Sequence, residues 1–245
     1  MNRQLTKLSL VALLICLFSG LAYAQEPSGY YKKAEGKSQK GLLKQLCEIV
    51  GPHKNVGYNG LWNVYKDSDI RPGTNYYWDM YSTSKFREGQ QKCGNYSHVG
   101  DCVNREHSFP KSWFKEGQPM VSDAFHIYPT DGKVNGQRSN FPYGECANGT
   151  TLPSCNGVDA LGKLGKSTFP GYSGTVFEPV DEYKGDFARS YFYMAACYND
   201  KIASWSSPML AGNSYPCYTT WAVNLLLKWN EQDPVSQKEI DRNNA

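Results

Sequence analysis

Apolar residues recur at steps of three and four positions in three stretches of the chain, residues 42–50, 187–198 and 221–229. This spacing places apolar side chains on one face, so each stretch is predicted to form an amphipathic helix. A shorter, aromatic-rich stretch, residues 58–65, predicts a further helix that docks on the core. The aromatic stripe of residues 187–198 is interpreted as core rather than as a base-stacking surface, because it follows a single helical face.

Short strands are predicted between these helices. Residues 76–81 are rich in aromatic side chains, which favour strands. Residues 102–107 and 124–128 predict two more strands. The sequence Thr130-Asp131-Gly132 is typical of the start of a helix, which would carry Asn135. This mixture of helices and strands indicates an α+β fold.

The first 24 residues have the three parts of a secretory signal: a basic start, an apolar core and a small-residue cleavage site at Ala22-Tyr23-Ala24. The remaining chain, residues 25–245, is predicted to be one domain. Cleavage lowers the net charge from +3 to +1, because Arg3 and Lys7 leave with the signal. Any nucleic-acid surface must therefore be locally basic, and a partner that is not an acid stays open on charge alone.

Seven cysteines remain when Cys16 is removed with the signal. In an exported chain this number indicates disulfides, and an odd count leaves one thiol over. Zinc binding is the competing interpretation, which the absence of any Cys-x-x-Cys pair disfavours. Because cysteines close in sequence can bridge short loops, the prediction is a free thiol at Cys47 and three local disulfides, Cys93–Cys102, Cys146–Cys155 and Cys197–Cys217.

The candidate chemistry lies in residues 104–141. Glu106 and Asn135 offer the oxygen ligands that a hard metal ion prefers. His107 is suited to take a proton from water near neutral pH. Arg138 could hold a phosphate with its planar guanidinium fork. Together these residue types predict metal-assisted hydrolysis of a phosphodiester.

Two features of the Glu106-His107 pair bear on this prediction. Such a pair on its own is equally typical of surface residues beside a turn, here at Pro110. In addition, side chains alternate across a strand, so the two residues cannot both face one ion from a regular strand. We therefore expect either a bulge at residues 108–110 or the end of the strand there.

The blocks in this stretch resemble the endonuclease I family of secreted bacterial nucleases, which use a ββα-metal site. The similarity runs from about residue 43 to the C-terminus, and few other families combine these blocks in this order. It rests on Glu106-His107 with Pro110, Tyr128-Pro129, Val134-Asn135-Gly136-Gln137-Arg138-Ser139-Asn140-Phe141, Asp79-Met80-Tyr81-Ser82, Phe177-Glu178-Pro179 with Lys184-Gly185-Asp186, and Asp233-Pro234-Val235-Ser236.

The resemblance implies an α+β fold with a ββα-metal (His-Me finger) core. It implies a secreted, metal-dependent, largely sequence-nonspecific endonuclease that cleaves DNA and RNA and leaves 5′-phosphate ends. Glu106 and Asn135 would hold Mg²⁺ or another hard divalent cation. His107 would activate the attacking water, and Arg138 would be the second catalytic residue. We expect a monomer that acts on nucleic acid and does not bind membranes.

The chain departs from the family pattern at two places. Family members usually continue past Arg242-Asn243 with a further helix, which implies either a C-terminal truncation or a shorter branch of the family. Between His107 and Asp123, better known members carry a longer insertion with an arginine near the product phosphate. This chain offers only Lys111 and Lys115 there, so that role is not transferred.

Two alternatives stay open at this point. The role of His126, in the second strand of the predicted unit, is not fixed by the sequence. A function of another class also fits a chain with 18 tyrosines and 6 tryptophans: a secreted carbohydrate- or protein-binding module whose histidines are structural. Digestion of DNA with and without EDTA would separate the two functions.

Overall fold

The computed structural model describes residues 26–245, so the predicted signal lies outside the described residues. In this range the α-helices are α1 (Gln39–Val50), α2 (Leu61–Ser68), α3 (Gly132–Arg138), α4 (Lys184–Cys197), α5 (Thr220–Gln232) and α6 (Gln237–Asn244). The strands are β1 (Val103–His107), β2 (Ile127–Asp131), β3 (Lys163–Lys166) and β4 (Thr175–Glu178). β1 pairs with β2 and β3 with β4, both antiparallel, which confirms the α+β class. Within the described range, the helices are too short or too polar to cross a bilayer.

β1, β2 and α3 follow one another as the predicted ββα unit. The register runs without interruption from Val103 opposite Asp131 to His107 opposite Ile127, so β1 contains no bulge. β1 instead ends at His107. The strand thus ends at the expected place, although Glu106 and His107 both lie within the regular register, opposite Tyr128 and Ile127.

A single carboxylate fixes the turn from β2 into α3. Oδ1 of Asp131 accepts the N–H groups of Lys133 and Val134 at 2.8 and 3.0 Å, which caps the helix as predicted. Its other oxygen, Oδ2, accepts the N–H of Gly100 at 2.7 Å, from the loop before β1. The start of α3, and with it Asn135 one turn later, is thus held at a fixed position beside β1.

The main core lies between the ββα unit and helices α4 and α5. The aromatic stripe of α4 belongs to it as predicted, because Phe187, Tyr191 and Met194 are each 0% exposed. The ring of Tyr143 stacks on Phe187 at 4.7 Å, and Trp229 of α5 completes the same cluster. Each such buried side chain stabilises the fold by about 1.5–3 kcal/mol, so α4 forms a rigid base beneath β1.

The prediction of a strand at residues 76–81 is wrong. The segment makes isolated single-residue bridges to other loops instead of joining a sheet. Asp79 is 0% exposed, and its Oδ1 accepts the N–H of Tyr81 at 2.8 Å. This local hydrogen bond turns the chain, so the aromatic residues Tyr77 and Tyr81 enter the core from a loop.

The other predicted elements are present with shifted ends. The helix predicted at residues 42–50 begins earlier, as α1, and the one predicted at 58–65 begins later, as α2. The second strand of the unit starts only at Ile127, because the three residues before it form a 3-10 turn. Asp123 caps that turn by accepting the N–H of Phe125 at 3.0 Å.

One of the three predicted disulfides is confirmed, the bond between Cys93 and Cys102. The other two predictions are wrong: the structure has free thiols at the remaining described cysteines, Cys47, Cys146, Cys155, Cys197 and Cys217. Closeness in sequence does not direct two Cβ atoms at each other. Cys197 points from α4 toward the carbonyl of Val50, whereas the sulfur of Cys217 accepts a hydrogen bond from Asn199 at 3.3 Å.

Candidate active site

A solvent-open cavity of about 420 Å³ lies where β1 ends beside α3. Glu106, His107 and Asn135, three of the four residues singled out from the sequence, all line it. Glu106 and His107 are the last two residues of β1, so both line the cavity at the place where the strand ends. The fourth residue, Arg138, is not among the described residues that line the cavity.

The carboxylate of Glu106 is almost fully buried, at 2% exposure. Its Oε1 accepts hydrogen bonds from Nη1 of Arg138 at 2.6 Å and from the hydroxyl of Tyr81 at 2.9 Å. Neither bond uses Oε2. Burial raises the pKa of Glu106 above its ordinary value, and the guanidinium of Arg138 and the hydroxyl of Tyr81 oppose that rise by stabilising the anion.

Arg138 lies behind the cavity, where its side chain is 1% exposed. Besides Glu106, its guanidinium binds the carbonyl of His107 at 2.7 Å and the carbonyl of Ser108. The guanidinium carbon also lies 4.4 Å from the centre of the Tyr143 ring. This placement does not fit the expected grip on a phosphate. Arg138 instead ties α3 to the end of β1 and holds Glu106 in position.

The ring of His107 is held by a backbone carbonyl. Its Nε2 lies 3.1 Å from the carbonyl oxygen of Val121. Since a carbonyl oxygen can only accept, Nε2 carries the proton and Nδ1 keeps its lone pair. Burial, with His126 nearby, lowers the pKa of His107 to about 3. The imidazole is therefore neutral at physiological pH, as a general base must be.

The loop that supplies this carbonyl has its own supports. Nε2 of His126 donates to the carbonyl of Met120 at 2.8 Å. Asp123 accepts the hydroxyl hydrogens of Tyr193 at 2.8 Å and Tyr198 at 2.5 Å, which bind the loop to α4 and its C-terminal end. His126 is 0% exposed and lies behind His107, with 5.7 Å between ring centres. The question left open about His126 thus has a structural answer, as part of the framework.

The oxygen ligands at the cavity fit a hard divalent cation. Nδ2 of Asn135 donates to Oδ1 of Asn104 at 2.8 Å, so Oδ1 of Asn135 takes no part in that bond. A carboxylate and a carboxamide oxygen are ligands that Mg²⁺ accepts, with water completing the shell. Glu106 and Asn135 are therefore chemically suited to the role that the family resemblance gave them.

The described residues hold another group of candidate metal ligands, His53, Asp123 and Cys197, here called the α1–α4 cluster. One ligand atom of each residue lies within 4.8 Å of the other two. His53 follows the end of α1, with its Nε2 3.6 Å from Oδ2 of Asp123. The cluster sits beside the loop that supports His107, but its members do not line the cavity.

Sequence reasoning missed two groups that position the site. The carbonyl of Val121 orients His107, but a backbone group has no signature in residue type. Tyr81 binds Glu106 from a segment that was predicted as a strand. The only signal for it was the block Asp79-Met80-Tyr81-Ser82, which was noted as part of the family resemblance without a role.

The model of the family described as Endonuclease I matches residues 39–245. The chain is 34% identical over 228 residues to the extracellular ribonuclease of Bacillus amyloliquefaciens, covering 87% of this chain and 69% of that protein. It is 32% identical over 243 residues to the extracellular ribonuclease of Bacillus subtilis (strain 168), covering 94% and 75%. Endonuclease-1 of Buchnera aphidicola subsp. Baizongia pistaciae is 27% identical over 134 residues, covering 52% and 51%.

Proposed function

The chain belongs to the endonuclease I family, and on that basis we propose that it is a secreted, metal-dependent nuclease that cleaves both DNA and RNA without sequence preference. Family membership confirms the predicted enzyme class, a hydrolase of phosphodiester bonds. It therefore sets aside the alternative of a binding module with structural histidines. The observation that carries the proposal is that Glu106, His107 and Asn135 line one open cavity.

His107 is the proposed general base. Its Nδ1 takes a proton from a water molecule as the water oxygen attacks phosphorus, while Nε2–H keeps the ring on the carbonyl of Val121. The bond from phosphorus to the 3′ oxygen breaks, and that oxygen gains a proton from solvent. The products are a 5′-phosphate and a 3′-hydroxyl. A positioned base of this kind contributes about 10²- to 10⁴-fold to the rate.

Glu106 and Asn135 are the proposed ligands of the cation, Mg²⁺ or another hard divalent ion. When bound, the cation supplies positive charge that stabilises the phosphate as negative charge builds up on it. Arg138 and Tyr81 hold Oε1 of Glu106 and so fix the direction of the carboxylate. In this proposal Arg138 is a positioning residue, in place of the phosphate-binding role expected from the sequence.

The proposed action on both nucleic acids follows from the chemistry. Attack by an external water does not use the ribose 2′-hydroxyl, so the same groups can hydrolyse RNA and DNA. The names of the relatives point the same way, since two are called ribonucleases and another an endonuclease. Secretion is supported by the signal predicted from the sequence, by the disulfide Cys93–Cys102 and by the names of the extracellular relatives.

The test is digestion of plasmid DNA and of a single-stranded RNA by the purified mature chain, in Mg²⁺ and in Mg²⁺ with excess EDTA. We expect both substrates to be cleaved, EDTA to stop both reactions, and the product ends to be substrates for a 5′-phosphate-dependent exonuclease. The control is His107→Ala, with folding checked by circular dichroism.

Three outcomes would contradict parts of the proposal separately. Cleavage that persists in EDTA would remove the metal. Products with 3′-phosphate or cyclic phosphate ends would replace the water mechanism by one that uses the 2′-hydroxyl. Cleavage of only one nucleic acid would restrict the substrate class and leave the mechanism standing.

A further inference from the structure

Two more cavities open beside the proposed active-site cavity and share walls with it. One, of about 340 Å³, shares Tyr58, Asn104 and Arg105 with the active-site cavity. The other, of about 570 Å³, shares Ser112 and Asn140 with it. Because each neighbour shares wall residues with the central cavity, the three cavities lie side by side. This row of cavities is here called the groove, and Glu106 and His107 lie in its middle part.

The two ends of this groove differ in charge. The first, here called the cationic arm, is lined by Arg105 and Lys92 and by no described carboxylate. The second, the neutral arm, is lined only by uncharged side chains among the described residues, including Trp113 and Tyr172. A polyanion that follows the groove would thus meet two positive charges on one side of the reacting phosphate and none on the other.

The charges of the cationic arm are held by aromatic rings instead of carboxylates. The guanidinium carbon of Arg105 lies 3.5 Å from the centre of the Tyr58 ring, and Nη1 donates to the Tyr58 carbonyl at 2.7 Å. Nζ of Lys92 lies 4.7 Å from the centre of the Trp62 ring. Within residues 26–245, neither cation forms an ion pair with Asp or Glu. Aromatic faces orient a cation without cancelling its charge.

Lys111, in the central cavity, shows the contrast. Its Nζ pairs with Oε1 of Glu116 at 3.1 Å, so its charge is partly neutralised within the protein. Arg105 and Lys92 are therefore the two cations along the groove that lie against aromatic rings and pair with no carboxylate of the described residues, which leaves them available to an anion. This matters in a mature chain whose predicted net charge is only +1, because its attraction for nucleic acid must come from local groups.

Resting on the proposed function, we propose that the groove is the path of the substrate strand and that Arg105 and Lys92 bind a backbone phosphate next to the one that is cleaved. The contact is to the phosphate and not to the bases, so it is independent of sequence. The neutral arm receives the other side of the strand without a matching charge contact. Positively charged side chains thus contact the substrate backbone on one side of the scissile bond only.

The test measures binding apart from cleavage. Affinity for a fluorescent single-stranded oligonucleotide is measured by anisotropy in EDTA over a series of salt concentrations. The variants are Lys92→Ala, Arg105→Ala and Arg105→Lys. The matched control is Lys44→Ala, because Lys44 is exposed on α1 and lines none of the three cavities. The slope of log K against log salt should become shallower by about 0.7 for each lost phosphate contact, as is typical of single strands, and equally for oligonucleotides of different sequence.

A second readout separates a phosphate contact from a structural role. Arg105 also holds the Tyr58 segment, whose ring stacks against His107 at 5.8 Å, so its loss could disturb the base itself. If Arg105 binds phosphate, Arg105→Lys restores most of the salt slope, and Arg105→Ala raises KM more than it lowers kcat. A merely structural role would lower kcat, leave the salt slope at the parental value and give no rescue by lysine.

The outcomes also distinguish this proposal from the one on which it rests. If the parent chain cleaves nucleic acid but the salt slopes of binding are unchanged in both Lys92→Ala and Arg105→Ala, only the proposal for the cationic arm is overturned. A parent that binds the oligonucleotide with the expected slopes but cleaves neither DNA nor RNA overturns the proposed function alone. A parent that neither binds nor cleaves overturns both.

Discussion

The proposed active-site cavity and the α1–α4 cluster contain similar residue types, yet only one of them is arranged for chemistry. Each has a histidine near a carboxylate. At the cavity, the protein uses Nε2 of His107 and leaves Nδ1 with a lone pair, and Oδ1 of Asn135 lies outside the bond that this residue makes with Asn104. Both residues line a space that water and substrate can enter.

In the α1–α4 cluster, the same kinds of atoms form hydrogen bonds within the protein. Oδ2 of Asp123 accepts hydrogen bonds from two tyrosine hydroxyls. Nε2 of His53 lies 3.2 Å from one of these, the hydroxyl of Tyr198. Burial raises the pKa of the Cys197 thiol to about 12, so the sulfur stays protonated and is a poor metal ligand. The difference teaches that unshared lone pairs facing an open space, rather than residue types, mark a reactive site.

The largest expected difference between the two regions is in activity. His107→Ala should lower kcat/KM by about 10²- to 10⁴-fold, because the proton acceptor is lost. His53→Ala should cleave at close to the parental rate, since His53 does not line the cavity. Initial rates on plasmid DNA with folded, purified variants decide this. If His53→Ala were as inactive as His107→Ala, the distinction between the active-site cavity and the α1–α4 cluster would be contradicted.

The next largest effect is on stability. It concerns the ion pair between Arg138 and Glu106, which is buried within the protein, as most of the α1–α4 cluster is. Arg138→Ala should lower the free energy of unfolding by about 3–5 kcal/mol, because it leaves the buried Glu106 carboxylate without its partner. Arg189→Ala is the matched control. Its ion pair with Glu239 is more exposed, with 19% of the Arg189 side chain accessible, so the loss should be smaller. Urea denaturation measures both, and equal losses would refute the role given to burial.

A smaller effect separates the regions by cation binding. Asn135→Ala should raise the Mg²⁺ concentration for half-maximal activity at least about tenfold. Even residues that only hydrogen-bond to metal ligands typically lower metal affinity by this factor when they are removed. His53→Ala should leave that midpoint unchanged. Equilibrium dialysis with Mn²⁺ as the probe gives an independent measure. Retention of the ion by Asn135→Ala, with its loss in His53→Ala, would move the metal centre to the α1–α4 cluster.

The smallest expected change concerns Cys197. A thiol reagent at neutral pH should label it at least about tenfold more slowly in the folded chain than in urea, because the thiol is buried and rarely ionised. One equivalent of Zn²⁺ should leave the slow rate unchanged. Protection by zinc would instead show that the cluster opens to hold a metal. Mass spectrometry of the labelled peptides provides the readout.

The parts of the fold that follow local rules were predictable from the sequence. The cap at Asp131 and the two strands before it depend on neighbouring residues, so α3 was placed correctly. The strand at residues 76–81 failed because aromatic residues favour burial as much as they favour sheets. Here Oδ1 of Asp79 accepts the backbone N–H of Tyr81, which turns the chain where a strand was predicted.

Three of the four candidate site residues line one cavity, and the geometry that brings them there was harder to predict. The resemblance brought Glu106, His107 and Asn135 together, and the structure places all three on one cavity. It could not show that Arg138 faces inward, because the fork that suits a phosphate suits a buried carboxylate and two carbonyls equally well. Nor could it show which thiols meet, since disulfide geometry depends on the relative placement of distant elements.

The disulfide Cys93–Cys102 has a consequence for the cell that makes this protein. It fastens the segment carrying Lys92 to the residue just before β1, which carries Arg105. Disulfides of this kind are rare in a reducing cytoplasm, so there the two proposed phosphate-binding cations would not be held together. On the proposal that the chain is secreted, the disulfide would bring the two cations together only after export, so binding of nucleic acid would be strongest outside the cytoplasm.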